Sequence, residues 1–213
     1  MAAYDLEEQE QLATLKAWWT ENGNLVMTAL SLVLIVLAAW QGWNYYQRNQ
    51  AAQASALYDS VQKAARAGDL KQVRESAGAI LEQYPRTAYA AMAAMVSAKA
   101  HFQSGDMKTA HAQLAWVAEN AGDEGLQDIA RLRLASVMLD EKAYDDALKA
   151  LDAKHGATFD ALFLATRADV LVAQGKNEEA GTAYKSALEK ADARDAGLRG
   201  SIQLRLDALG AAK

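Results

Sequence analysis

Residues 161–187 read ALFLATRADVLVAQGKNEEAGTAYKSA, and this stretch decides the fold. Alanine, the residue most favourable to helix formation, recurs on both sides of a short polar break that contains Gly175. The small side chains of Ala168 and Ala180 let two helices approach closely, and the large Tyr184 fills the space between them. Glycine tolerates the left-handed backbone that a tight turn between helices requires. The stretch therefore predicts two packed helices.

The same arrangement recurs from residue 47 onward. Polar breaks occur at Gly68, Gly105 and Gly175, and Glu141-Lys142 forms a fourth without glycine, so that the breaks are 37, 37 and 33 residues apart. This period fits the tetratricopeptide repeat, clearly in the last pair and in degenerate form in three others. The predicted helix pairs are 53–67 with 70–84, 87–104 with 107–121, 125–140 with 143–153, and 159–174 with 177–191. A helix over 195–209 is expected to cover the open end.

Composition excludes several classes of protein. One proline and 13 glycines argue against a β-sandwich or barrel, which needs many turn residues. Cysteine is absent, which excludes disulfides, thiolate zinc sites and cysteine nucleophiles. The net charge of −5 is local, because residues 1–24 contribute −4 of it. A nearly neutral body is not the electrostatic pattern of a nucleic-acid binder.

A long uncharged segment lies between Glu21 and Arg48. Its apolar core, residues 25–43, would form about 28 Å of helix, close to the hydrocarbon thickness of about 30 Å. Aromatic rings at both ends are typical of the membrane interface. We therefore predict a transmembrane helix over 24–46, with interfacial residues Trp18, Trp19, Trp40, Trp43, Tyr45 and Tyr46.

Two alternatives compete with a permanent membrane anchor. A buried core helix is disfavoured because such helices rarely carry so long an uncharged run. A cleaved signal peptide is disfavoured because its leader should be basic, whereas this one is acidic. The small residues Ala54-Ser55-Ala56 resemble a cleavage site, but they lie 13 residues beyond Trp43.

The leader offers a further local prediction. Leu12, Leu15 and Trp19 share one helical face, which indicates a short amphipathic helix at the interface, with a frayed polar tail as the alternative.

Charge does not settle the orientation of the predicted span. Lys16 and the amino terminus precede it, while Arg48, Lys63 and Arg66 follow it. Positive-inside counting therefore slightly favours a cytoplasmic repeat domain, by one or two charges.

The sequence carries few residues in the patterns of catalytic or metal-binding motifs. His101, His111 and His155 have no fixed metal spacing, and neither a glycine-rich phosphate loop nor a nucleophile elbow occurs. Most of the paired acids are explained by positions at helix starts, where negative charge favours the helix dipole. These pairs are Asp123-Glu124, Asp140-Glu141, Asp145-Asp146 and Glu178-Glu179. We expect no enzyme activity, metal or cofactor; a hydrolase would need a polar cluster assembled only by folding.

A stack of helix pairs offers a groove lined by the first helix of each pair. The side chains expected to face it are mostly apolar, with methionines that adapt to varied partners. Among them only Lys99 suits a clamp for a C-terminal carboxylate, which makes such a clamp doubtful. The predicted groove residues are Met92, Met95, Lys99, Phe102, Ile129, Leu132, Ser136, Leu139, Leu162, Ala165, Asp169 and Val172.

Three local stretches together point to a family. LKAWWTENG over 15–23, QGWNYYQ over 41–47 and YPRTAYA over 84–90 resemble the YfgM family, the ancillary subunit of the bacterial SecYEG translocon. The resemblance covers essentially the whole chain. It implies a type II protein of the bacterial inner membrane, with a cytoplasmic leader over 1–23, a span over 24–46 and a periplasmic repeat domain over 47–213.

The resemblance also implies partners. Members associate with the SecYEG translocon and with a membrane-anchored periplasmic chaperone of the prolyl-isomerase type, and they pass nascent secretory polypeptides to periplasmic chaperones. Our first hypothesis is thus a membrane-anchored protein-protein interaction subunit. The alternative is a membrane-bound stress-signalling regulator, whose acidic leader sequesters a cytoplasmic response regulator.

Overall fold

The computed structural model describes the backbone of residues 2–211 and the side chains of residues 8–210. Within this part of the chain the secondary structure is helical, as the sequence predicts. A short 3-10 helix covers Ala157–Phe159. The α-helices of the described residues are α1 (Ala2–Ala67), α2 (Leu70–Gln83), α3 (Ala88–Gln103), α4 (Met107–Asn120), α5 (Glu124–Asp140), α6 (Tyr144–Leu151), α7 (Asp160–Ala173), α8 (Asn177–Lys190) and α9 (Ala196–Ala211).

The predicted all-α fold, with one long apolar N-terminal helix followed by helix pairs, is confirmed. The first predicted repeat helix, 53–67, is the C-terminal part of α1, which continues without a break through residues 46–56. The segment around Leu12 and Leu15 is likewise helical and lies within α1. The chain divides into two compact units, Met1–Asn49 and Gln50–Lys213.

The first unit exposes its apolar side chains. Leu25 and Ile35, for example, are 72% and 68% exposed. One helix in the described chain is long and apolar enough to cross a membrane, by length and composition. This exposure contradicts the alternative of a buried core helix, because a core helix would cover these side chains. Trp19 packs over Gly23, where an added Cβ would lie 3.2 Å from the indole Nε1.

The second unit is a stack of helix pairs with alanine at the crossings. In the last pair, Ala168, Ala180 and Ala187 are fully buried, and Tyr184 lies beside them in the same core cluster. Ile202 and Leu209 of α9 complete this cluster. The expected cover for the open end of the last repeat is thus present, since each repeat buries its apolar face only against a neighbour.

Left-handed turns occur at the three breaks that contain glycine, as predicted, and also at the fourth, which does not. Gly68, Gly105 and Gly175 have φ angles of 72°, 85° and 78°. Lys142, which stands where the other breaks have glycine, has a φ of 61°. A Cβ makes this conformation unfavourable, so Lys142 is held there by the helices on either side.

Replacing Lys142 by glycine should therefore stabilise the repeat domain. We expect Lys142→Gly to raise the free energy of unfolding by roughly 0.5–1 kcal/mol, because the strain at a left-handed residue exceeds the entropic cost of glycine. The matched control is Lys185→Gly in the middle of α8, which should lower it by about 1 kcal/mol. Urea unfolding of both variants checks the prediction, and a loss at Lys142 would contradict it.

Candidate docking groove

A concave pocket lies on the surface formed by α3 and α5. Its floor consists of the buried side chains Ala98, Leu114 and Val137, and the pocket measures about 350 Å³. The rim carries both apolar and polar groups, namely Met95, Lys99, Phe102, Arg133 and Ser136. Leu114 belongs to α4, which packs against both α3 and α5 and closes the base of the pocket.

Four predicted groove residues line this pocket together: Met95, Lys99, Phe102 and Ser136. The others do not line it. Leu132 and Leu139 are half-buried against the same core cluster. Ala165, which was expected to face the groove, is 3% exposed and lies in the core beneath α9, because a methyl group at this crossing lets the helices pack. Met92 on α3 and Ile129 on α5 are half-buried. Leu162 and Val172, both on α7, are partly exposed.

Asp169 is engaged within the chain. Its Oδ1 accepts a hydrogen bond from the Tyr184 hydroxyl at 2.6 Å, and its Oδ2 accepts one from Arg205 Nη1 at 2.8 Å. Burial raises the pKa of the Asp169 carboxyl, while the Tyr184 hydrogen bond and the Arg205 charge act in the opposite direction. The contacts join α7, α8 and α9, so Asp169 serves internal packing here.

A second pocket adjoins the first on the same unit, and Lys99 lines both. It lies between the C-terminal part of α1 and α3, and its remaining lining residues are Tyr58, Gln62, Ala65, Arg66, Val96, Ala100 and Gln103. The two pockets form one surface across α1, α3 and α5, which we call the docking groove.

Sequence reasoning missed the two arginines of the docking groove. Arg133 lies one position away from the repeat positions assumed to face a partner, and Arg66 lies at the end of α1. Their spacing was an available signal: Arg66, Lys99 and Arg133 are 33 and 34 residues apart, close to the repeat period. In the structure Arg133 Nη1 contacts Met95 Sδ at 3.6 Å across the pocket.

The histidines each face a carboxylate of their own domain. His101 is 1% exposed and its Nδ1 lies 3.1 Å from Asp106 Oδ2, while His111 lies 3.4 Å from Glu141. His155 stacks on Phe163 with ring centroids 3.8 Å apart. Over the described residues no group of three or more histidine or acidic side chains is placed to hold a metal ion.

The acidic side chains act largely at helix starts. Asp69, Asp106 and Asp123 each accept a hydrogen bond from a backbone amide of the following helix, which is the expected N-cap contact. Hydrogen bonds from Thr109, together with His101 and Arg74, hold the pKa of Asp106 below its ordinary value. The pair Asp140-Glu141 differs from the expectation, because it lies at the C-terminal end of α5.

Comparison with known proteins places this architecture in a family. The model of the tetratricopeptide repeat-like domain matches residues 16–211. A protein of Neisseria gonorrhoeae named ancillary SecYEG translocon subunit is 33% identical over 213 residues, covering 98% of this chain and 100% of that protein. This chain belongs to the ancillary SecYEG translocon subunit family.

Other members of the ancillary SecYEG translocon subunit family agree over most of their length. The protein of that name from Haemophilus influenzae is 32% identical over 189 residues, covering 87% of this chain and 90% of its own. The one from Escherichia coli is 27% identical over 182 residues, covering 85% and 87%. The resemblance inferred from the three sequence stretches is confirmed. The domain limits, the interfacial aromatic residues and the groove residues stay predictions.

Proposed function

We propose that this chain is a membrane-anchored interaction subunit that assembles with the SecYEG translocon and presents its docking groove to polypeptides. The observation that carries the proposal is a groove with half-buried Met95 and Phe102 at its rim, in a chain that also has a helix long and apolar enough to span a membrane. The names of the relatives support the assembly with SecYEG.

The chemistry of the groove favours binding over catalysis. Methionine is unbranched and polarisable, so Met95 can adapt to different apolar side chains, and Phe102 adds a large contact surface. Tethering near a membrane pore raises the effective concentration of the domain around emerging chains. Individually weak contacts then suffice for nascent secretory polypeptides. We therefore propose a subunit without catalytic activity of its own.

We further propose a type II orientation in the bacterial inner membrane. Residues 1–23 would lie in the cytoplasm, 24–46 would span the membrane, and 47–213 would lie in the periplasm. A membrane-anchored prolyl-isomerase-type chaperone would then be within reach of the docking groove. A reporter fused after Lys213 should be active only when it lies outside the cytoplasm; activity inside would overturn this orientation.

The proposed function is tested by replacing the apolar rim. We expect Met95→Gln combined with Phe102→Gln to reduce cross-linking of the full-length protein to nascent secretory chains by about fivefold or more, because burying an amide without a partner is unfavourable. Recovery of SecYEG should stay unchanged, since the membrane anchor is intact. The matched control is Leu204→Gln on α9, an apolar residue that is 71% exposed. Equal cross-linking of the double variant and the control would reject the proposal.

The alternative function rests on the acidic leader. Asp5 and Glu7 lie outside the described side chains, while Glu8 and Glu10 are exposed on α1 and so accessible to a partner. If the leader sequesters a cytoplasmic response regulator, replacing Asp5, Glu7, Glu8 and Glu10 by neutral amides should abolish binding of that regulator. Unchanged binding would reject this alternative.

A further inference from the structure

We propose that the docking groove selects extended polypeptide segments that carry an acidic residue at every third position and apolar residues between. The recognition element is a row of three cations, Arg66 on α1, Lys99 on α3 and Arg133 on α5. The inference rests on the proposed function and deepens it, because it names the chemistry that a bound segment must carry.

The charge of this row is uncompensated. Among the residues with described side chains, none of the three cations has a carboxylate within salt-bridge distance; Arg66 instead donates to the neutral Gln62 at 3.1 Å, and Arg133 contacts the Met95 sulfur. Neither of the two pockets has an acidic residue in its lining. Five other arginines do pair with carboxylates: Arg74, Arg131, Arg167, Arg194 and Arg205.

Arg167 on α7 lies 34 residues after Arg133, at the corresponding position of the next first helix. There the charge is neutralised by Asp152 of the same chain. Along this row of first helices in the described chain, the cations without a carboxylate partner are therefore those of α1, α3 and α5, and the row ends at α7. A positive surface of this extent attracts a complementary negative segment and discriminates against a positive one.

The distance between packed helices predicts the interval between acidic residues in a bound segment. Packed helices lie about 8–10 Å apart, so cations on successive first helices are separated by about three residues of extended chain at about 3.3 Å per residue. Acidic residues at every third position would meet the three cations in turn. The intervening apolar side chains would enter the pockets at Met95 and Phe102 and at Tyr58 and Val96.

A polypeptide fits these features better than the other anionic surface available to a membrane-anchored domain, the lipid headgroups. A headgroup layer would neutralise the cations but would leave an apolar pocket of about 350 Å³ without an occupant. An extended chain fills the pocket with side chains and meets the charges with carboxylates, so both parts of the surface are used.

The test measures fluorescence anisotropy of a labelled peptide with the full-length protein in phosphatidylcholine nanodiscs. The probe carries glutamate at every third position with leucine and phenylalanine between, and a second peptide replaces each glutamate by glutamine. Because an exposed ion pair contributes a factor of about two to three, three pairs should make the glutamate peptide bind about tenfold more tightly. The preference should weaken with added salt.

The variant Arg66→Gln/Lys99→Gln/Arg133→Gln should remove this preference while still binding both peptides weakly through the apolar pockets. The matched control, Lys149→Gln/Lys176→Gln/Lys185→Gln, removes three exposed charges elsewhere in the repeat domain and should keep the preference. Circular dichroism establishes that both triple variants are folded.

Three outcomes would overturn the proposal. These are equal binding of the two peptides by the unmodified protein, a retained preference in the Arg66/Lys99/Arg133 variant, and binding of phosphatidylglycerol vesicles through these cations without any peptide preference. The last outcome would assign the row to lipid headgroups. Recovery of SecYEG and nascent chains with unmodified protein in the same preparation would leave the proposed function standing, so the two failures are distinguishable.

Discussion

Leu32→Arg combined with Ile35→Arg is expected to abolish stable insertion of the chain into the membrane. Each arginine near the centre of a span costs about 2.5–3.5 kcal/mol, whereas a leucine or isoleucine contributes only about −0.3 to −0.6 kcal/mol. Ten of the 13 residues from Leu25 to Leu37 are Leu, Ile, Val or Met, so two arginines offset roughly the whole favourable contribution of this run.

Substitutions at these two positions test membrane insertion without disturbing side-chain packing within the chain. Leu32 and Ile35 are 61% and 68% exposed, so arginine at either position meets no neighbouring side chain of the described chain that must move. The matched control is Leu32→Ala/Ile35→Ala, which removes apolar surface without adding charge and should remain inserted. Carbonate extraction of membranes measures the outcome. A double-arginine variant that stays in the membrane pellet would contradict the assignment of the span.

Asp128→Ala is expected to lower the free energy of unfolding of the repeat domain by about 3 kcal/mol. Asp128 is 2% exposed; its Oδ1 accepts a hydrogen bond from Arg131 Nη1 and its Oδ2 accepts one from the Gly156 amide, both at 2.9 Å. Removing Asp128 leaves the Arg131 charge without its carboxylate and the Gly156 amide without an acceptor, which costs more than the pair itself contributes.

The position of this contact explains why its loss should destabilise more than one helix. Arg131 also donates to the carbonyl oxygens of Ala118 on α4 and Lys154 before α7. The Asp128–Arg131 pair thereby connects α5 with the end of the preceding helix and with the loop that leads to the next pair. Chemical unfolding of the full-length protein in detergent, followed by circular dichroism, measures the change.

Asp140→Ala provides the matched control, because Asp140 lies on the same helix but is exposed. It should change the free energy of unfolding by less than about 0.5 kcal/mol, as exposed substitutions usually do. The free energy of unfolding of Asp128→Asn should fall between those of the two alanine variants, since the asparagine amide oxygen can still accept the Gly156 hydrogen bond. An equal loss in the free energy of unfolding for both alanine variants would contradict a stabilising role of the buried Asp128–Arg131 contact.

Several features were determined by local sequence. The pairs of helices follow from alanine-rich stretches between polar breaks, and their observed ends differ from the predicted ones by only one or two residues at most breaks. The break at Lys142 was expected from its spacing to Gly105 and Gly175, and the structure adds that its backbone is left-handed there as well. The apolar run from Leu25 to Trp43 needed only its length and composition to predict a helix able to span a membrane.

Tertiary structure decided which side chains meet. Periodicity placed Lys99 on the groove but could not bring Arg66 and Arg133 beside it, because small shifts in helix rotation change which side chain reaches a pocket. In the same way, periodicity predicted Asp169 as a groove residue, whereas the stacked helices place it against Tyr184 on α8 and Arg205 on α9. The chain's amino-acid order sets helix length and turn geometry, which depend on neighbouring residues alone. The contacts of Arg131 with Ala118 and of Arg133 with Met95 join residues 13 and 38 positions apart, and they exist only once the helices are stacked.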